Sequence, residues 1–482
     1  MQKRNLLIII LFLFTGTIGW SAERIRQNFD FDWQFRLGEQ GIYKPVQLPH
    51  DWSIELDFNE EVGPESGYLP GGIGYYKKDF NVPASYKGKR VSIVFDGIYH
   101  KATIYLNGQE VDYHRYGYTS FETDLTPYLK YGGKNTLSVK VDHSEKSRWY
   151  TGSGIYRHVW MQVTNPIHVK MWGTYITTPR VSAESAIVSC VTTVANTSAL
   201  TGEIEIMQRI VDAQGNLLKI NGKQYAARTE VVMPENGTKD IAQSFTLSNP
   251  QLWNLEKPYL YRLETILKQK GKVIDRYTTR FGVRTIGFDK DKGFFLNGKN
   301  IKMKGACLHQ DAGCLGVAVP NRSYERRLTI LKEFGANAIR CSHNPPSPEF
   351  LNYCDSIGFL VVDEAFDKWK SGYYEQFFDE CWQQDIRDMI VRDRNHPSIV
   401  LWSIGNELAE ATRKDNVGVE RATLLRDFVH KLEPTRPTML ALAPAYQDKF
   451  ASVTDVVGYN YSELSYIEDK KKHPERIGLI SE

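Results

Sequence analysis

The second half of the sequence alternates short apolar segments with amphipathic ones, and this alternation constrains the fold more than any other feature. The strand-like segments are 301–306, 336–341, 359–364, 398–405, 437–443, 454–461 and 476–481, with helical patterns at about 324–333, 348–357, 376–394 and 419–432 between them. Strands that alternate with helices predict a parallel sheet, and this series is typical of a (β/α)8 TIM barrel. We expect an incomplete barrel of about seven strands over 286–482, because no eighth strand precedes Glu482.

The first half of the chain has the pattern of antiparallel β-structure. VSIVFDGI (91–98) and KATIYLNGQEV (101–111) are short alternating segments, and Asn107-Gly108 supplies a tight turn. Residues 23–166 are therefore predicted to form a jelly-roll β-sandwich. Residues 167–285 continue with strands such as AIVSCVTTVAN (186–196) and fit an immunoglobulin-like β-sandwich. The expected fold class is multidomain, with two β domains followed by an α/β domain.

The first 22 residues have the layout of a secretory signal peptide. Lys3 and Arg4 precede the apolar run 6–14, and the small residues Gly19, Ser21 and Ala22 follow it. This predicts a secreted or periplasmic protein without a membrane span in the mature chain. The net charge of +3, with no basic stripe, argues against nucleic acid as a partner. The six cysteines form no C-x-x-C pair and are predicted to be free thiols, with a lone disulfide left open.

Reactive side chains gather where the predicted barrel strands end. They are His309, Arg340, His343, Asp363, Glu364, Asn406, Glu407, Tyr459, Tyr461 and Glu482. Active sites of such barrels lie at the carboxyl ends of the strands. Two carboxylates on one barrel mouth suit glycoside hydrolysis, with retention when they are about 5–5.5 Å apart and inversion when they are about 6.5–9.5 Å apart. The sequence leaves this spacing open.

Four segments together resemble glycoside hydrolase family 2, the family of β-galactosidases, β-glucuronidases and β-mannosidases. They are YTGSGIYRHVWM (150–161), KGACLHQD (304–311), the stretch 338–367 that begins AIRCSHNPP, and RNHPSIVLWSIGNE (394–407). The order of jelly roll, immunoglobulin-like sandwich and barrel also matches this family. The resemblance implies a retaining exo-β-glycosidase that acts on a carbohydrate, an oligosaccharide or glycan, and needs no cofactor.

The resemblance also implies roles for the residues on the rim. Glu407 corresponds to the acid/base, and the apolar run 401–404 before it is expected to surround it. Glu482 corresponds to the nucleophile, which Arg340 is expected to hold ionised and Tyr461, rather than Tyr459, to contact. The expected sugar ligands are Asn406, at the 2-hydroxyl, and His309 and His343, which otherwise tie strand ends together. Asp363 and Glu364 are expected either to orient Arg340 or a histidine or to contact the ligand themselves.

Two departures from the family pattern bear on function. Family β-galactosidases that use a divalent metal have a Glu-x-His step where this chain has Lys368-Trp369-Lys370, so no metal is expected there. The end of the sequence at Glu482 leaves open a truncated glycan-binding remnant without catalysis. Among enzymes, a β-galactosidase is preferred on LPHDW (48–52) and the SHNPP segment, with β-glucuronidase as the alternative. A structural adhesin does not account for the barrel rim, and a homo-oligomer stays open.

Overall fold

The computed structural model describes residues 23–145, 147–220 and 223–482. The predicted signal peptide at 1–22 lies outside the described residues. Three layered units follow one another along the described chain, as expected from the sequence.

The first unit is a β-sandwich of two antiparallel sheets. Its strands are β1 (Ile25–Asn28), β2 (Trp33–Leu37), β3 (Lys44–Val46), β4 (Gly72–Val82), β5 (Arg90–Phe95), β6 (Ala102–Leu106), β7 (Gln109–His114), β8 (Phe121–Asp124), β9 (Gly133–His143) and β10 (Val159–Thr164). The sheet orders are β1-β10-β5-β8 and β3-β2-β4-β9-β6-β7. Alternate residues of β9 are buried, which is the period-2 pattern of a strand with one face on a core. Asn107 and Gly108 both have positive φ, so the predicted turn joins β6 to β7.

The second unit is an immunoglobulin-like sandwich. Its strands are β11 (Ile167–Val181), β12 (Ser185–Asn196), β13 (Gly202–Val211), β14 (Lys219–Ile220), β15 (Lys223–Gln224), β16 (Ala227–Met233), β17 (Gly237–Ser248), β18 (Tyr261–Gln269) and β19 (Lys272–Phe281). A sheet of order β11-β12-β17 faces one of order β16-β13-β18-β19, and β14 and β15 form a separate hairpin. Buried side chains of both sheets, such as Phe245 and Leu263, form the core between them.

The third unit begins with a meander that the sequence analysis did not separate: β20 (Ile286–Asp289), β21 (Gly293–Leu296) and β22 (Lys299–Asn300). A parallel sheet follows in sequential order, made of β23 (Gly305–Leu308), β24 (Ala338–Cys341), β25 (Leu360–Glu364), β26 (Ile399–Asn406), β27 (Thr438–Leu442), β28 (Val456–Tyr459) and β29 (Gly478–Ile480). The helices are α1 (Asn321–Glu333), α2 (Pro348–Ile357), α3 (Phe378–Asp393), α4 (Val417–Leu432), α5 (Asp448–Ala451) and α6 (Glu463–Lys472). The expected seven-stranded parallel sheet is confirmed.

The first barrel strand begins later than expected. The apolar alternation predicts a strand over 301–306, whereas β23 covers Gly305–Leu308. Ile301 and Met303 instead pack beneath the sheet beside Phe294, and the Ile301 amide donates to the Phe294 carbonyl at 2.9 Å. The alternating apolar residues are therefore buried, but they pack at the base of the barrel and do not form one of its strands.

The jelly roll packs against the carboxyl ends of the barrel strands. Tyr116 OH donates to the Ala365 carbonyl at 2.5 Å, and the buried Arg157 donates through Nη2 to the Pro345 carbonyl at 2.8 Å. Both acceptors directly follow the rim segments of β24 and β25. The first sandwich thus forms one wall of the region where the barrel residues converge. No helix within the described part of the chain is long and apolar enough to cross a membrane.

Candidate active site

The rim of the parallel sheet brings the predicted site residues together. Arg340, Glu364 and Asn406 lie at the ends of β24, β25 and β26, while His309, His343, Glu407, Tyr461 and Glu482 follow strand ends. Parallel strands present their carboxyl ends at one edge, so residues far apart in sequence become neighbours there.

The two predicted catalytic carboxylates share one hydrogen-bond donor. Asn460 Nδ2 donates to Glu407 Oε1 at 3.3 Å and to Glu482 Oε2 at 3.0 Å. Both carboxylates therefore accept from the same amide group, which brings them together at one point of the barrel mouth. The sequence analysis gave Asn460 no role, although it stands between the two rim tyrosines 459 and 461.

Arg340 connects the nucleophile candidate to the buried part of the site. Its Nη1 donates to Glu482 Oε2 at 2.9 Å, and its Nε donates to Glu364 Oε2 at 2.9 Å. Burial would raise the pKa of Glu482, but hydrogen bonds from Tyr461 and Arg340 and the charge of Arg340 bring it below its usual value. The arrangement keeps the Glu482 carboxylate ionised and oriented.

Glu364 anchors this arrangement from below. It is fully buried and also accepts from His343 Nδ1 at 2.7 Å and from Ser403 Oγ at 2.6 Å. Burial would raise its pKa, but the charge of Arg340 and these donors lower it. The expected orienting contact is thus present for Glu364.

Asp363 does not make the orienting contact that was one of its two expected roles. Its side chain is fully buried, and its carboxyl group faces that of Asp393 rather than Arg340 or a histidine. Burial, followed by repulsion from Asp393 at the end of α3, raises the pKa of Asp363 well above its usual value. Successive strand residues point to opposite faces, so Glu364 serves the rim and Asp363 the outer layer.

Two rim residues carry strained backbone. Glu407 has φ of 46° and Tyr461 has φ of 51°, a backbone conformation that residues with a side chain seldom adopt and that clusters at functional sites.

Tyr461 OH donates to Glu482 Oε1 at 2.7 Å, and this hydrogen bond raises the pKa of Tyr461 to about 12. Tyr459 donates instead to Asp469, away from the rim. Of the two tyrosines, the structure therefore brings Tyr461 to the nucleophile candidate.

A tryptophan of the jelly roll completes the histidine side of the site. The ring of Trp149 lies 5.2 Å from that of His309 and 5.6 Å from that of His343. Trp149 Nε1 and His309 Nδ1 are buried polar atoms without a partner among the described residues. Burial lowers the pKa of His309, and the neighbouring His343 lowers it further. Buried polar groups are normally paired, so these two unpaired nitrogens are an exception on the histidine side of the site.

The surroundings of Glu407 differ from the apolar environment that the run 401–404 suggests. Lys368 Nζ lies 3.9 Å and Arg148 Nη2 lies 4.0 Å from Glu407 Oε2. Both cations also pair with Asp367, Lys368 at 3.1 Å and Arg148 through Nε at 2.8 Å. The apolar residues before Glu407 lie within the strand, whereas its carboxylate reaches the cationic edge. Arg148 comes from another domain, so no local pattern could have assigned it.

Three family models match consecutive parts of the chain. They are "Glycosyl hydrolases family 2, sugar binding domain" over residues 31–166, "Glycosyl hydrolases family 2" over 167–284 and "Glycosyl hydrolases family 2, TIM barrel domain" over 289–477. A β-glucuronidase of Bacteroides fragilis is 30% identical, with 97% of this chain and 70% of that protein covered. The chain belongs to glycoside hydrolase family 2.

Other family 2 proteins are more similar in sequence and in structure. The β-galactosidase BoGH2A of Bacteroides ovatus is 40% identical, and the match covers 96% of this chain and 59% of that protein. The crystal structure of a family 2 member from Bacteroides cellulosilyticus superimposes with a TM-score of 0.89 at 39% identity, covering 94% of this chain and 61% of that one. The chain thus spans about three fifths of the length of these two family 2 relatives.

The segment around Trp369 stands where some family 2 β-galactosidases have the metal-binding Glu-x-His motif. Trp369 is buried and donates to the Ile404 carbonyl at 2.7 Å, while Lys370 pairs with Asp379 at 2.5 Å. Within the described ranges, metal-ligating atoms lie close together in one group, Asp448, Asp469 and His473 beside α5 and α6. Arg476 donates to Asp469 at 2.8 Å, so a guanidinium already balances charge in that group.

Proposed function

We propose that the chain is a retaining exo-β-glycosidase that works by double displacement. The observation that carries the proposal is the Asn460 amide shared by Glu407 and Glu482, because it brings together the two carboxylates that glycoside hydrolysis needs, while retention follows the resemblance to family 2. Family membership supports the same reaction class.

In this mechanism Glu482 attacks the anomeric carbon and forms a covalent glycosyl ester, while Glu407 donates a proton to the departing oxygen. Glu407 then removes a proton from the water that hydrolyses the ester. Arg340 and Tyr461 support the first step because they stabilise the ionised form of Glu482. His309 and His343 are proposed to bond sugar hydroxyls, with the Trp149 ring packed beside both of them. Asn406 is proposed to face the 2-hydroxyl.

We propose β-galactosides as the substrates, supported by the 40% identical β-galactosidase of B. ovatus. β-Glucuronides are the second candidate, because Arg148 and Lys368 place two cations beside Glu407 that could attract a sugar carboxylate. The values of kcat/KM for nitrophenyl β-galactoside and β-glucuronide, measured side by side, decide between them. A preference for the glucuronide of more than tenfold would overturn the first assignment.

The catalytic roles are tested with Glu407→Gln and Glu482→Gln, with Glu475→Gln as the control because Glu475 is 67% exposed and lies off the rim. Both rim variants should lose at least a hundredfold in kcat while the control keeps wild-type activity. A 2-deoxy-2-fluoro glycoside should label Glu482, and NMR should show the β-anomer first. Glycan binding by a wild type that hydrolyses no β-glycoside would favour the binding-only alternative.

We also propose that the protein is exported, on the basis of the charged and apolar segments before residue 23. Expression with residues 1–22 present and with them deleted, followed by cell fractionation, tests this. Retention of both forms in the cytoplasm would refute it.

A further inference from the structure

The ammonium group of Lys368 lies at the peptide that leads into Glu407. Its Nζ donates to the Asn406 carbonyl at 2.8 Å and to Asp367 Oδ1 at 3.1 Å, and the side chain is only 14% exposed. The two backbone amides of this segment are also hydrogen-bonded. The Asn406 amide donates to the Asp367 carbonyl and the Glu407 amide donates to the Ala441 carbonyl, both at 2.8 Å. Lys368 is thus the side-chain donor to the carbonyl that precedes a residue with φ of 46°.

The same ammonium group lies 3.9 Å from Glu407 Oε2. An acid that gives up a proton becomes an anion, and a fixed cation at this distance stabilises the charge as it develops. The other charged groups around Glu407 are Arg148 at 4.0 Å, Asp367, which pairs with both cations, and Glu482, which shares Asn460. Among these groups, Lys368 is the one that lies against both the Asn406–Glu407 peptide and the Glu407 carboxylate.

We propose that Lys368 is a positioning residue for Glu407. It holds the Asn406–Glu407 peptide in its strained conformation and stabilises the Glu407 carboxylate that forms when the proton passes to the departing oxygen. This inference rests on the proposed function, because it assigns the acid role to Glu407. The sequence identifies Lys368 only as a residue that does not ligate a metal, whereas the proposal gives it a role in proton transfer from Glu407.

The effect should depend on the leaving group. A poor leaving group such as an alcohol needs a full proton, whereas dinitrophenolate leaves with little assistance. In Lys368→Met, kcat/KM should fall at least tenfold for a benzyl β-glycoside and less than threefold for the dinitrophenyl β-glycoside of the same sugar. Lys368→Arg should recover part of the loss, since it keeps the charge. The matched control is Lys370→Met, which removes a lysine two residues away that pairs with Asp379 on α3.

Equal losses on both substrates, or no loss, would overturn the proposal, because a purely structural role does not distinguish leaving groups. Crystal structures of the wild type and Lys368→Met give a second test that needs no turnover. The Asn406 carbonyl or the Glu407 carboxylate should be displaced in the variant, and unchanged positions would refute a positioning role. A wild type that hydrolyses no β-glycoside would contradict the proposed function, while the crystal structures would still decide the placement by Lys368.

Discussion

Replacing Glu364 by glutamine should destabilise the barrel strongly, although the two side chains have the same shape. Glu364 is fully buried and accepts four hydrogen bonds, two from Arg340, one from His343 and one from Ser403, between 2.6 and 3.1 Å. Glutamine removes the charge that compensates Arg340 and turns two protons toward groups that are themselves donors. Breaking a buried ion pair on one side costs about 3–5 kcal/mol.

The cost should depend on pH in a defined direction. The pKa of Glu364 is lowered in the folded protein. Its contribution to the free energy of unfolding is therefore present above the pKa of about 4.3 in the unfolded chain, and it is lost as the pH falls through the lower pKa of the folded protein. The difference between wild type and Glu364→Gln should therefore be full at pH 7 and shrink progressively below about pH 4.

Urea unfolding followed by circular dichroism at the helix band measures this difference, because all α-helices of the described residues belong to the barrel. With a urea dependence of about 2 kcal/mol per molar, the midpoint should fall by about 2 M at pH 7. Glu380→Gln is the control, since Glu380 is 66% exposed and its pair with Arg115 should contribute less than about 1 kcal/mol. A loss below about 1 kcal/mol for Glu364→Gln, or the same loss at pH 3 as at pH 7, would refute the reasoning.

Three further changes test other parts of the molecule. Tyr461→Phe removes a hydrogen bond that lowers the pKa of Glu482, so kcat/KM should fall about tenfold and the acid limb of its pH profile should move to higher pH; an unmoved limb would contradict this role. Burial opposes ionisation of Glu433, but Arg436 and several hydrogen bonds lower its pKa to about 2. Glu433→Gln should therefore lower the free energy of unfolding by about 3 kcal/mol above pH 4.5, measured by heat or urea, and this difference should vanish near pH 2. Arg157→Met removes the side-chain donor to the buried Tyr118 carbonyl and one of the two side-chain donors to the Pro345 carbonyl, so it should lower the free energy of unfolding by about 2 kcal/mol, a change that calorimetry resolves.

The barrel could be predicted because its signals are local. Each strand from β24 to β29 is a short apolar run beside a helical period, and α2 was expected at 348–357 and observed at Pro348–Ile357. The start of β23 and the meander β20–β22 could not be predicted in the same way. There the apolar residues Ile301 and Met303 pack below the sheet, and alternation alone does not tell which layer a residue faces.

The candidate site was predictable only in part. Residues at strand ends, such as Arg340 and Glu482, follow from the rule that parallel strands present their carboxyl ends together. The shared amide of Asn460 and the cations around Glu407 depend on distances between chain segments, which sequence spacing does not give. Arg148 and Trp149 are further removed still, because they come from a loop of the jelly roll more than 200 residues before Glu407 and Glu482.

The loop that carries Arg148 and Trp149 makes the barrel dependent on its neighbour. Trp149 stands against the two histidines, and Arg148 holds Asp367 through two hydrogen bonds at 2.8 and 3.2 Å. A barrel excised at residue 286 would therefore lack one wall of its pocket even if it folded. In a chimaera with the jelly roll of another protein, that wall would be formed by the loop of the foreign jelly roll. For protein engineering, the unit to transfer is the jelly-roll sandwich together with the barrel, and specificity can be altered from either domain at their interface.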